Sequence, residues 1–403
     1  MMKISLATNF DNNLIEQIKE YPIYELYGKL KEDSIGGGRP NNTLSEVSKQ
    51  ILESHVKKCN ESGIKFNYLL NGSCLSNNEQ SEIWQSELRV FLDYLKEIGV
   101  TALTVTNPFI LQLVKKYYTN FTVRVSTFAC VDTLRKAKYW ESLGADFICV
   151  DFCRINRDFK TLKIMVDNLK DAKIEILMTN SCLKECPIMG IHTSGLSHAS
   201  NKFEDGTQYQ DWCLHSCQKM QLENLDEYIK SPWVRPEDVI YYENIGIEHF
   251  KITERGFPTE ELVRRVKSYT ERSFEGNLLD LIQGHGWTNT QEEQTPSKDF
   301  NLTKNETIEE LKKIRGLGCE RKYPRHINID NKKLDGFIKF FVDGNCKNNC
   351  HECNYCTNYA EKVITLYNTI SSLKNCLYYI LSFIIIHSDT VDCSDSPYSL
   401  DYS

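Results

Sequence analysis

The chain has 403 residues, 41% of them hydrophobic and 26% charged, with a formal net charge of −7. That balance excludes a disordered polymer, and the length is enough for one large barrel plus an appendage. The modest acidity gives no general attraction to nucleic acid. A local basic patch of Lys312, Lys313, Arg315, Arg321, Lys322, Arg325 and His326 reads first as a solvated helix end and loop, and second as a phosphate or RNA contact.

The opening stretch MMKISLATNFDNN has no basic region followed by an apolar core, so no secretory signal is expected and the setting reads as cytoplasmic. From there short apolar runs alternate with helix-length segments. Strands are predicted at 3–7, 23–27, 65–70, 102–106, 122–126, 147–151, 174–178 and 249–253, each rich in Val, Ile, Leu, Phe or Tyr and too short for a helix. Helices are predicted at 13–20, 44–62, 80–98, 108–117, 131–142, 159–171, 236–245 and 258–272. Pro108, Pro236 and Pro258 stand at or near first turns, and Gly63, Gly99, Gly144 and Gly246 follow helix ends. Eight strand–helix units predict an α/β fold, a TIM-like (β/α)8 barrel over residues 1–280, with an open doubly wound sheet as the alternative.

Barrel sites form at the carboxyl ends of the strands. Those ends carry Asn9, Lys29, Asn71, Asn107, Thr127, Asp151, Asn180 and the pair Glu254–Arg255, all polar. Helix capping accounts for about half of them. Caps do not need cations, so Lys29, Arg39 and Arg255 read as a clamp for an anionic substrate. Gly36, Gly37 and Gly38 would then let backbone amides approach it, or would simply make a flexible loop. Lys29, Arg39, Asn71, Asp151 and Asn180 are thus the expected substrate contacts, and Glu254 and Arg255 the expected catalytic groups.

The connection 181–234 is far too long for a turn and falls on the predicted catalytic side, where a long structureless segment signals function. It holds Cys182, Cys186, Cys213 and Cys217 as two C-x3-C pairs. On a helical turn each pair projects one way and grips one side of a metal centre. Four thiolates suit a tetrahedral zinc or a cubane iron–sulfur cluster, the unmetallated state being the third reading. His192, His198 and His215 share the loop, each readable as an ordinary loop histidine; His198 and His215 are the better candidates for proton transfer or substrate contact.

Past residue 272 the alternation stops. Residues 281–310, including GHGWTNTQEEQTPS, read as a linker, 311–365 as a small cysteine-rich C-terminal module and 366–403 as a tail. The apolar run CLYYILSFIII in that tail is shorter than the ~18–20 residues a membrane span needs, so it reads as a docked helix. The module carries Cys346, Cys350, Cys353 and Cys356. Their C-x3-C-x2-C spacing resembles that of a radical-SAM cluster but stands after the barrel, which sets that reading aside. A second iron–sulfur cluster and a structural zinc remain equal expectations. Sixteen cysteines in a reducing setting point to metal or redox chemistry rather than disulfides. H-E-x-x-H, G-x-S-x-G and P-loop patterns are absent.

The stretches NSCLKECP, HTSGLSHAS, DWCLHSC and WVRPEDVIYYENIGIEHFKITERGFPTEELV resemble the collagenase-like peptidase U-32 family. The resemblance covers most of residues 1–280 and continues into the cysteine-rich end, most specifically in the cysteine loop and the RPED…FKI.ERG stretch. It implies a barrel and a four-iron four-sulfur (4Fe-4S) cluster on Cys182, Cys186, Cys213 and Cys217. The spacing of the first pair departs from that of the better-known hydroxylases similar to this family. Three functions stay open. One is an oxygen-independent redox or hydroxylase-type enzyme acting on RNA, a peptide or an anionic small molecule, fed by an unknown electron donor. The second is a peptidase. The third is a cluster-bearing partner subunit, and assembly with itself or a second protein is left open.

Overall fold

A computed structural model of the chain describes residues 2–41, 44, 46–200, 211–282 and 327–366. The basic patch, nearly all of the predicted linker and of the tail, and the start of the C-terminal module lie outside the described residues. Eight strands follow one another around a closed parallel barrel: β1 (Lys3–Ala7), β2 (Ile23–Gly28), β3 (Lys65–Leu70), β4 (Ala102–Val105), β5 (Thr122–Val125), β6 (Phe147–Cys149), β7 (Lys173–Leu177) and β8 (His249–Ile252). Closure comes from β8 pairing with β1, Lys3 against His249 through Leu6 against Ile252. The open doubly wound sheet is thereby ruled out.

Around the barrel run α1 (Asn12–Ile18), α2 (Lys49–Glu61), α3 (Glu82–Glu97), α4 (Pro108–Tyr117) and α5 (Leu134–Ser142). Two helices follow β6, the short α6 (Phe152–Ile155) and α7 (Phe159–Asn168). The long connection after β7 folds into α8 (Met189–Ala199), α9 (Trp212–Glu223) and α10 (Asp226–Lys230), ahead of α11 (Val239–Asn244) and α12 (Thr259–Glu271). It is therefore helical in its described parts, not structureless. The helix predicted at 44–62 starts later because the Ser48 hydroxyl accepts from Ile51 N and caps α2 there. Beyond the barrel, β9 (Ile327–Ile329), α13 (Lys339–Val342), α14 (Tyr355–Val363) and β10 (Ile364–Leu366) make a small module in which β9 and β10 pair antiparallel. No described helix is long and apolar enough to cross a membrane.

Strand side chains alternate between two environments, as the pleat requires. Ile4, Leu6, Phe66, Leu103, Val123, Ile148, Ile176 and Phe250 are fully buried within the main apolar core. The alternate positions face the lumen, and that layer is polar. Arg124 of β5 reaches across to Glu25 of β2 (Nε–Oε1 2.7 Å) and to Glu175 of β7 (Nη1–Oε1 3.0 Å). Ser5 donates to Glu175 at 2.8 Å, Asn67 to Glu25 at 2.8 Å and Thr104 to Asn67 at 3.0 Å. Only residues inside the barrel could touch across non-adjacent strands in this way. Above this network Ala7, Tyr27 and Leu69 form an apolar plug below the mouth.

Two buried histidines give the fold an acid-sensitive term. The His55 ring on α2 lies 2.8 Å from Thr8 Oγ1 and 2.8 Å from Asn12 Oδ1, and burial pushes its pKa down to about 4. His249 has no hydrogen-bond partner at either ring nitrogen among the described residues, and burial with the nearby Arg124 charge lowers it to about 4 as well. An unfolded histidine titrates near about 6.5, so protonation favours the unfolded chain. Stability should be unaffected by these rings above about pH 6.5. It should fall as the pH drops toward 4, by up to about 1.4 kcal/mol per pH unit for each ring. Urea midpoints near pH 7 and pH 5 measure the loss, which should be shallower in His55→Gln; an unchanged slope in that variant would contradict the assignment.

Candidate functional site at the barrel mouth

The first cysteine group is assembled from two kinds of backbone. Cys182 and Cys186 lie in an irregular turn after β7, not on a helix as expected. Asn180 Oδ1 accepts from Cys182 N at 2.9 Å, and Glu185 takes a left-handed φ of 50° between the two cysteines. The turn is pinned from outside by Ser231 Oγ on Cys182 O (2.8 Å) and Gln221 Nε2 on Ser181 O (2.6 Å). Cys213 and Cys217 occupy i and i+4 of α9, as the spacing predicts, and both are buried. Asp211 caps that helix by accepting from Leu214 N at 3.0 Å and also meets His192 Nε2 at 3.1 Å.

A further thiol joins them. Cys153 on α6 is buried, packs with Cys149, Phe152 and Leu177, and has Cys182, Cys186 and Met189 against this cluster. The Cys153 thiol donates to Cys182, which is the largest of the influences holding the Cys182 thiol below its ordinary range; burial opposes it, and His192, Arg39 and Asn180 assist. Burial pushes Cys153 well up. It also raises Cys186, to about 11, and Cys217, whose thiol is pushed further by the charges of Cys182, Cys186 and Cys213. Cys186 and Cys217 thus feel the charge of other loop thiols. Even so, among the described residues no three His, Cys, Asp or Glu side chains lie close enough together to hold a single metal ion. All thirteen described cysteines are free of disulfides.

Beside the thiols lies a cationic mouth. Lys29 is buried and forms an ion pair with Asp33 at 3.0 Å, while Tyr68 donates to the other side of that pair, onto Asp33 Oδ2 at 2.8 Å. Lys29 is therefore part of the wall rather than a ready substrate contact. Arg39 pairs with Glu254. Glu254 closes β8 with a φ of 95°, a backbone conformation that side chains other than glycine adopt only under strain and that concentrates at functional sites. Arg255 has no carboxylate partner among the described residues, and burial together with the Arg39 charge brings its pKa down to about 10. Three cations facing two carboxylates leave one positive charge at the mouth.

The glycine loop does not offer its amides as expected. Gly36 N donates to Asp33 Oδ1 and Gly37 N to Ser200 Oγ, both at 2.8 Å. Its glycines serve close packing, since a Cβ on Gly38 would stand 2.7 Å from the Phe128 ring. Asn71 lies against this loop with Oδ1 buried and without a partner among the described residues. Asn180 is engaged by Cys182. Asp151 is buried beside Arg154, on the cysteine side, and burial raises its carboxyl.

Of the two favoured histidines, His198 is exposed, with Nδ1 3.4 Å from Ser76 Oγ, and His215 meets Gln218 at 3.3 Å. His192 is instead the imidazole beside Cys182. Cys153 was missed because the strand-end reading stopped at Asp151; its signal was a cysteine two residues past that strand end.

Residues 39–277 match peptidase family U32. The uncharacterized protease MJ1657 of Methanocaldococcus jannaschii is 26% identical over 374 residues, spanning 90% of this chain and 99% of the relative. Among solved structures, the U32 peptidase Mk0906 aligns with a TM-score of 0.48 at 20% identity, covering 64% of this chain and 94% of that one. A native KDPGal structure aligns with a TM-score of 0.39 at 11% identity, over 68% and 94% of the two chains.

Proposed function

Since this chain belongs to peptidase family U32, we propose that its barrel mouth is the active site of an oxygen-independent, hydroxylase-type redox enzyme holding a 4Fe-4S cluster on Cys182, Cys186, Cys213 and Cys217. The observation that carries this reading is the gathering of both thiol pairs at the edge of a mouth whose Arg39 faces Cys182 and whose Arg255 forms no ion pair with a carboxylate among the described residues. The donor set fits the group. Zn–S bonds of about 2.3 Å would need the sulfurs within about 4 Å of one another, whereas a four-iron cluster takes one thiolate at each corner of a larger body. Buried thiols such as Cys186 and Cys217, raised by burial and by the charges of neighbouring thiols, are relieved by binding iron. A bound cluster would supply one-electron transfer.

The chain's own residues do the rest. Arg255 seats a carboxylate or phosphate of an anionic small molecule, or of an acidic group on RNA or a peptide, by charge-assisted hydrogen bonds. Arg39 holds Glu254 at the rim, where its carboxylate accepts a proton from a neutral part of the bound molecule rather than from the anionic group that Arg255 seats. Tyr27, Ala7 and Leu69 close the floor and keep water from entering through the lumen. Hydrolysis has weaker support. The Thr8–His55–Asn12 chain has the order of a nucleophilic triad, but Thr8 and His55 are fully buried. The Ser76–His198 contact is long and exposed.

Arg255→Gln is expected to raise the KM or Kd for the acidic ligand roughly ten- to hundredfold, the equivalent of one lost charge-assisted bond, with partial recovery in Arg255→Lys. Titration with a panel of mono- and dicarboxylates under argon reads this. Hydrolysis of casein or gelatin that persists after iron removal would sink the redox reading in favour of the peptidase.

A further inference from the structure

Of the C-terminal cysteines, Cys346, Cys350 and Cys353 lie on the turn between α13 and α14, and Cys356 in the first turn of α14. Cys346 and Cys356 are packed against the main core, and Cys350 is exposed. The turn is tied to the barrel by Lys184 Nζ on Asn348 Oδ1 (2.7 Å) and by Thr357 Oγ1 on Asp226 Oδ2 (2.7 Å). Between module and barrel runs a narrow cleft with room for about 30 Å³, with all four cysteines on one wall and Cys153 and Arg157 on the other.

Arg157 poses the physical problem. It is 8% exposed, and its Nη1 and Nη2 donate to the carbonyls of Ile229 (2.8 Å) and Trp233 (3.1 Å), while its guanidinium lies 4.2 Å from the Trp233 ring centre. Its Nε is buried without a partner, and no described carboxylate pairs with it. Of the groups whose negative charge would stabilise it, Tyr242 donates its hydroxyl to Asn156 O and Asp238 is held by both ends of Arg235. The others are the thiols of Cys356 and Cys346. A buried guanidinium stays charged and requires an anion or several well-placed dipoles.

We propose that Cys346, Cys350, Cys353 and Cys356 bind a second iron–sulfur centre, whose net negative charge balances the buried Arg157; as at the first group, the thiols are not gathered closely enough for a single metal ion and suit the corners of a larger cluster. Four thiolates on a four-iron cluster in its usual oxidised form leave two negative charges. The centre fastens the C-terminal module onto the α6–α7 corner and does not depend on the redox reading of the first group.

The test uses the full chain prepared under argon, with iron, zinc and inorganic sulfide counted per chain. Relative to the parent, Cys350→Ser/Cys353→Ser should lose about four irons with their sulfide, while Cys182→Ser/Cys217→Ser keeps that share. Arg157→Met should speed chelator release of this metal about tenfold, with Arg157→Lys intermediate. In case the variants fold poorly, maleimide labelling of the native chain provides a second reading: the four C-terminal thiols should resist modification until a chelator is added. Unchanged iron in the double variant, or immediate labelling of all four thiols, would overturn the proposal. Loss of iron only in the Cys182/Cys217 variant would likewise count against it and leave the first group intact.

Discussion

Replacing Arg124 by methionine is expected to destabilise the barrel by about 3–5 kcal/mol, a large share of the ~5–15 kcal/mol that holds a domain folded. The side chain is fully buried, bridges Glu25 and Glu175, and rests 3.8 Å from the Phe147 ring centre. Removing it leaves two carboxylates facing one another in a closed lumen. Lys251, which also favours the charged form of Glu175, is too much engaged with the Tyr27 ring, 4.1 Å from its centre, to replace the guanidinium. The penalty comes from the stranded charges, so Arg124→Met combined with Glu25→Gln and Glu175→Gln should recover most of it. Denaturant unfolding of the single and triple variants decides this. A single-variant loss below about 1 kcal/mol would show that the pairing is not what keeps those carboxylates inside.

The second large effect concerns the thiols. Cys213→Ala is expected to remove about four irons with their share of the colour, and turnover with them, because it removes one of four corners of the proposed cluster at the mouth. Cys153→Ala should behave differently. Its thiol gives a hydrogen bond to Cys182 and is not one of the proposed ligands. That variant should therefore keep its iron while losing it to a chelator several times faster. Visible absorption and iron content of the two variants separate the roles. Colour undiminished in Cys213→Ala and lost in Cys153→Ala would reassign the ligand set.

Much of the barrel was legible in the sequence. β1, β3 and α4 fall on the residues predicted for them, because an apolar run bounded by turns, or a Pro after a capping Asn, has one local solution. The α8 helix was not legible. GIHTSGLSHA is rich in weak helix formers, and the helix is held by buried contacts such as Ser197 Oγ on Ser73 N at 2.7 Å, which only the tertiary fold provides. The site was legible in its residue types but not in their partners. Lys29, Arg39 and Arg255 look alike in a sequence. Asp33 neutralises the first and Glu254 the second, while the third remains without a carboxylate among the described residues. Likewise Asn9 and Thr127, polar at strand ends, bond inward to Phe257 O and Val150 O. The i, i+4 rule placed Cys213 and Cys217 on one face, but the turn at Cys182 and Cys186 depends on a left-handed Glu185 that no periodicity announces.

The most direct test is the iron and acid-labile sulfide content of chain made and kept without air, together with its visible spectrum. A brown protein with at least about four irons and four sulfides per chain, about four of each being lost on Cys182→Ser/Cys217→Ser, is the predicted result. A colourless protein with no iron would contradict it and leave the thiol loop without the electron chemistry assigned to it.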